Sequence, residues 1–164
     1  MIEYEIRGLD ELMRKTKELP ASVSQAMRGF FTKSSIKVEE KAKKRFVGKG
    51  ESWGGGRPHV RTGRLRSSIT HKVDPSPTPL WAIIGTNVEY APIVELGARP
   101  HEIKPVRRKA LRFEVAGKEI FAKVVHHPGS PPHPFLGAGL EESKGDIDRY
   151  LEEAGSQIEK EWNK

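Results

Sequence analysis

An α+β single domain, in which one antiparallel sheet of about four to five strands is packed by a long N-terminal helix and a long C-terminal helix, is the fold the sequence predicts. Three observations predict it. An apolar stripe at three- and four-residue steps runs from Val23 to Phe46, a series of short period-two segments occupies the middle of the chain, and a second helical stripe follows Pro134. The order is strand, helices, sheet, helix, which differs from the strict alternation of a parallel α/β fold.

The first element is a strand, because Ile2, Tyr4 and Ile6 alternate with Glu3, Glu5 and Arg7. Gly8 ends it, and Asp10 is placed to cap a short helix over "ELMRKTKEL". Pro20 suits the first turn of the principal helix, whose stripe is Val23, Met27, Phe30, Ser34, Val38, Ala42 and Phe46. Its last turn, "KAKKRF", puts cations at the negative end of the helix dipole. The glycine-rich "VGKGESWGGGRPH" then predicts a mobile loop within 47–60.

Thr62 is placed to cap a short helix with Leu65 and Ile69 inward and Arg64 and Arg66 outward. "SITHKV" and "LWAIIGT" read as strands around the turn-rich "DPSPTP". "VEYAPIVEL" reads as a short helix with Pro92 in its first turn and Gly97 closing it, packed through Val88, Ala91 and Val94 or Ile93 and Leu96. "KALRFEV" and "EIFAKVV" form a hairpin about Gly117, with Leu111, Phe113 and Val115 on one side. The terminal helix buries Leu136, Leu140, Ile147, Leu151, Ala154 and Ile158.

Composition narrows the function. The chain has 164 residues, no cysteine and a net charge of +7, so disulfides and thiolate chemistry are excluded. No run reaches the ~18 apolar residues of a membrane span, and "MIEYEIRGLD" lacks the pattern of a signal peptide, so a cytoplasmic protein without a membrane partner is expected. Charge is polarised: ten Lys/Arg against Glu51 alone between Lys41 and Lys72, then eight acids against four bases from Glu141 to Lys164. Such a basic segment suits nucleic acid or the acidic surface of another copy.

Chemistry finds little purchase. His101, His126, His127 and His133 are the best metal-ligand candidates, but adjacent histidines on a strand face opposite ways and no fixed ligand motif accompanies them. Glu89 and Glu95 are six residues apart, neither one helical turn nor two, and so cannot flank a single bond. Ser67, Ser68 and His71 lack a glycine elbow, and "GKGES" lacks the spacing of a phosphate loop. The expectation is a non-enzyme without cofactor or metal. Arg57, Arg61, Arg64 and Arg66 could neutralise phosphates while Trp53 stacks on a base, so DNA binding through 41–72 is the alternative reading.

Three stretches, "VRTGRLRSSI", "IIGTNVEYAPIVELG" and "HPGSPPHPFLGAGLEE", resemble in order and spacing a tailed-bacteriophage family of tail-completion and minor tail components, typified by gene product ten of phage HK-ninety-seven. The resemblance covers nearly the whole chain, although the glycine-rich segment and the long "GARPHEIKP" have no match in it. It implies a structural virion protein of the neck: a homo-oligomeric, six-fold ring between tail tube and head connector, assembled in the host cytoplasm. Its partners would be other neck, connector and tail proteins, with genomic DNA passing through. It implies no catalytic residue. On this reading Tyr90 buries its ring, and Glu89, Glu95, Arg99 and His101 lie at a rim where charges set register between neighbours. Arg57, Arg61, Arg64 and Arg66 of one copy would meet the acidic 141–161 helix of the next, beginning at Glu141 and Glu142.

Overall fold

The structure, a computed structural model, describes residues 3–5, 21–48, 56–76, 79 and 81–163. The short helix expected after Asp10, Pro20, and most of the glycine-rich loop with Trp53 lie outside them.

The long helix α1 (Ala21–Lys44) organises the molecule. Every residue of its expected stripe is buried, including Ser34 and Phe46 just past its end. Phe31 is also buried, against Phe30 in an edge-to-face pair at 5.1 Å. Burying a side chain of this size contributes roughly 1.5–3 kcal/mol. The basic last turn is held by charge and by hydrogen bonds: Lys43 and Lys44 pair with Glu39 and Glu40 one turn back, and Arg57 donates to the carbonyls of Lys44 and Arg45 at 3.0 and 3.1 Å.

Among the described residues the strands divide into three small antiparallel sheets, where the sequence predicts one of about four to five strands. β1 (Glu3–Glu5), β2 (Thr70–Val73) and β3 (Ala82–Gly85) form the first, in the order β1-β3-β2. Tyr4 and His71 both stand opposite Ile84. β3 turns Ala82 and Ile84 into the core, as a period-two strand with one covered face must. β4 (His101–Ile103) pairs with β7 (Val125–His127) as a second sheet. Between them, β5 (Leu111–Val115) and β6 (Lys118–Ala122) form a separate hairpin. The turn uses Ala116 and Gly117, both at positive φ.

Two short helices, α2 (Arg64–Ser68) and α3 (Ala91–Leu96), flank the first sheet. The Thr62 hydroxyl accepts the Arg64 N–H at 3.3 Å, and Leu65 and Ile69 are buried as expected while Arg64 and Arg66 face out. The expected terminal helix is two: α4 (Leu136–Glu141) and α5 (Lys144–Trp162). At the break, buried Ser143 donates to the Gly139 carbonyl at 2.7 Å. The expected stripe carries through the break at every position but one: Leu136 and Ala154 are buried, and Leu140, Ile147 and Ile158 pack against the core. Ile147, Tyr150, Ala154 and Ile158 turn towards α1, whereas Leu151 is exposed.

One core region joins Val38 and Ala42 of α1, and Phe46 just beyond it, to Ile69, Ile84, Phe135 and Leu136; the other joins Val23, Met27 and Phe30 to Ala82 and Ala154. Gly139 is what lets α4 reach α1. A Cβ there would lie 2.7 Å from the Ala42 nitrogen and 2.9 Å from its Cα.

Candidate assembly surfaces and an arginine-rimmed cleft

Beyond the end of α1 the chain returns alongside it. Val47 donates to the Pro58 carbonyl and Val60 to the Val47 carbonyl, both at 3.0 Å, which fixes residues 58–60 against the helix terminus. Gly63, at φ 80°, then turns the backbone into α2. The result is a cleft of about 480 Å³ whose apolar lining includes Phe46, Pro58, Val60, Leu65 and Val94. Arg61, Arg64 and Arg66 also line it, together with Tyr90, and all four are exposed. Three of the four arginines singled out in the sequence are thus brought together. Arg57 is the exception, because its guanidinium is committed to the α1 carbonyls.

Glu95 has a different place from the one expected. It is 2% exposed, and its carboxylate accepts the N–H groups of Phe135, Leu136 and Gly137 at 2.7, 3.0 and 2.8 Å. Phe135 stands at the cap position before α4 and its side chain makes no capping bond, so Glu95 supplies the acceptor from another helix. The pairing of His133 N–H to the Val94 carbonyl at 2.8 Å and the mutual bonds of Ala98 and Ser130 hold the two segments together. Gly97 and Gly129 permit the approach: at Gly97 a Cβ would lie 2.6 Å from the Ser130 carbonyl oxygen.

With Glu95 turned inward, α3 shows the opposite ridge to solvent. Tyr90, Ile93 (54% exposed) and Leu96 (68%) stand at three-residue steps along it, where a buried Tyr90 and packed Ile93 and Leu96 were expected. Glu89 is exposed beside them. Arg99 is exposed, and its carbonyl accepts from His101 Nδ1 at 2.9 Å while the His101 ring stacks on His127 at 5.0 Å. His126 approaches Glu102 at 3.5 Å. Among the described residues no group of three or more His, Cys, Asp or Glu could hold a metal ion.

The β5–β6 hairpin is amphipathic. Its register sets Leu111 opposite Ala122 and Phe113 opposite Ile120, and Val115 completes the same face. Phe113, Val115 and Ile120 are exposed there. The other face carries the Arg112–Glu119 ion pair and Phe121, 64% exposed.

On the acidic side, Glu142 pairs with Arg45 of its own chain at 3.0 Å and Glu141 with Lys144 at 2.6 Å. His71 and Ser68 are likewise engaged elsewhere: His71 Nδ1 meets Glu39 at 2.5 Å and the Ser68 hydroxyl meets that of Thr86 at 2.6 Å. Partial burial pushes Glu39 up, but hydrogen bonds and charge from Lys43 and His71 outweigh it and hold the carboxyl below its ordinary value. Among the described residues no helix is long and apolar enough to cross a membrane.

No family model matches the chain, and no curated protein or solved structure matches it.

Proposed function

We propose that this chain is a structural component of a tailed-phage particle, a tail-completion or neck protein whose copies close head to tail into a six-fold ring between tail tube and head connector. The observation that carries the reading is the β5–β6 hairpin. A two-stranded hairpin is marginal alone, and this one turns Phe113, Val115 and Ile120 to solvent on a single face. A neighbouring copy covering that face would remove it from water. The ordered resemblance of the three stretches at 60–69, 83–97 and 127–142 supports the same role.

Heterologous contacts of this kind close into rings when the rotation between neighbours permits. Light scattering behind a sizing column, at low and moderate salt and with and without a short DNA duplex, tests the reading. A discrete multimer formed without DNA supports it. A chain that stays monomeric alone and shifts only with DNA would replace it with the second reading, nucleic-acid binding through 41–72. The exposed Arg61, Arg64 and Arg66 favour that alternative, and its signature is affinity that falls steeply with salt.

A further inference from the structure

Helix α5 carries a second unpartnered surface. At 100° per residue, Asp148, Leu151, Glu152, Gly155 and Glu159 fall on one side of it, and all five are exposed. Neither Asp148, Glu152 nor Glu159 takes part in an ion pair among the described residues, in contrast to Asp146 and Glu153, which pair with Arg149. Leu151 is a large apolar side chain set among them, and the space over Gly155 is open. The cleft shows the complementary features: three exposed arginines around an apolar floor.

We infer that the Asp148–Leu151–Glu152–Glu159 stripe of one copy docks into the Arg61–Arg64–Arg66 cleft of the next, with Leu151 entering the apolar floor. The inference rests on the ring reading and specifies its joint. A chain cannot make this contact with itself. The Arg45–Glu142 pair ties the start of the terminal helices to the cleft end of α1, whereas Lys33–Glu153 ties α5 to the middle of α1, so the stripe runs away from the cleft. Two different surfaces at separate places on one molecule give a head-to-tail contact, not a two-fold one. Charge pairs at such a joint fix register and reject wrong neighbours, while the apolar insertion adds area.

The test uses three full-length variants: R61E/R64E/R66E, D148K/E152K/E159K, and the chain carrying all six changes. Mass is read by light scattering, and circular-dichroism melts confirm that each chain folds. Each three-residue reversal sets like charges together, which is expected to weaken self-association by roughly a hundredfold or more. An equimolar mixture of the two reversed chains presents opposite charges at every joint and should recover the wild-type mass, as should the six-residue chain.

Wild-type assembly by both reversed chains would overturn the docking and leave the ring standing. Loss of assembly that neither the mixture nor the six-residue chain restores would overturn the pairing. A wild-type chain that is monomeric at high concentration and low salt would overturn the ring and the joint together. If the arginine reversal abolished only a mass shift produced by duplex DNA, nucleic acid would be the cleft's occupant and the docking would fall.

Discussion

Glu95→Gln and Glu95→Ala probe the buried carboxylate that starts α4. In the native chain one oxygen accepts two N–H groups and the other accepts one. The amide of Gln can keep its oxygen towards Phe135 and Leu136, but its NH₂ then faces the Gly137 N–H, donor against donor. One charge-assisted bond is lost and two are weakened, which amounts to about 2 kcal/mol from a typical ~1.5–3 kcal/mol for a bond to a charged group. Ala removes every acceptor and leaves the buried N–H groups of Phe135 and Leu136 unpaired. At ~1–3 kcal/mol for each stranded donor plus the lost packing, the cost is about 4 kcal/mol. For a chain of this size each kcal/mol moves Tm by roughly 2–4 °C, so Gln should lower it by about 4–8 °C and Ala by about twice that. Urea denaturation followed by circular dichroism measures both. If Ala cost no more than a surface substitution, within about 0.5 kcal/mol, the carboxylate would not be what holds α4 to α3, and the reasoning would be refuted.

Gly139→Ala should destabilise the fold by about 1–3 kcal/mol, the usual result of forcing atoms into a packed contact, and an unchanged denaturation midpoint would show that α1 and α4 can part at no cost. Glu39→Gln addresses pH: its folded carboxyl lies below the ordinary 4.5, so its contribution is present above that value and lost as pH falls through the lower folded one. The wild type should therefore exceed the variant by no more than about 1 kcal/mol near neutrality, and the two should converge in acid; a gap that widened in acid would reverse the sign of the argument. Phe113→Ser with Ile120→Ser should leave the melting temperature of the isolated chain nearly unchanged while reducing the assembled mass in light scattering. A large loss of monomer stability would show that the hairpin face packs on its own chain.

Much of the scaffold was legible because it follows from local rules. Six positions of α1, continued by Phe46, repeat at helical spacing along one buried face, and the two strands that bracket "DPSPTP" in the sequence do pair. What the sequence conceals is the destination of each face. Leu111, Phe113 and Val115 read as one apolar side whether that side meets its own sheet or another molecule, so the division into three sheets could not be inferred from alternation. The role of Glu95 is hidden for a related reason: a carboxylate on a six-residue helix looks like surface charge. The available signal lay forty residues away, at "HPFLGAG", where a helix begins without Ser, Thr, Asp or Asn at its cap and must borrow an acceptor. Charge polarity is visible in a count along the chain, but which arginines remain available is set by the fold, since Arg57 and Arg66 look alike in sequence.

The pairing of α1 with α5 also bears on how the chain is made. Lys33 and Glu153 are 120 residues apart, and synthesis at about 5–20 residues per second separates their emergence by roughly 6–24 s. Throughout that interval Val23, Met27 and Phe30 lack the helix that covers them, and the closing contact carries the entropy cost of a long loop. A nascent chain in this state offers a sticky amphipathic rod to chaperones and to its siblings on the same message, so slower translation should favour aggregation during synthesis over misfolding of the finished protein.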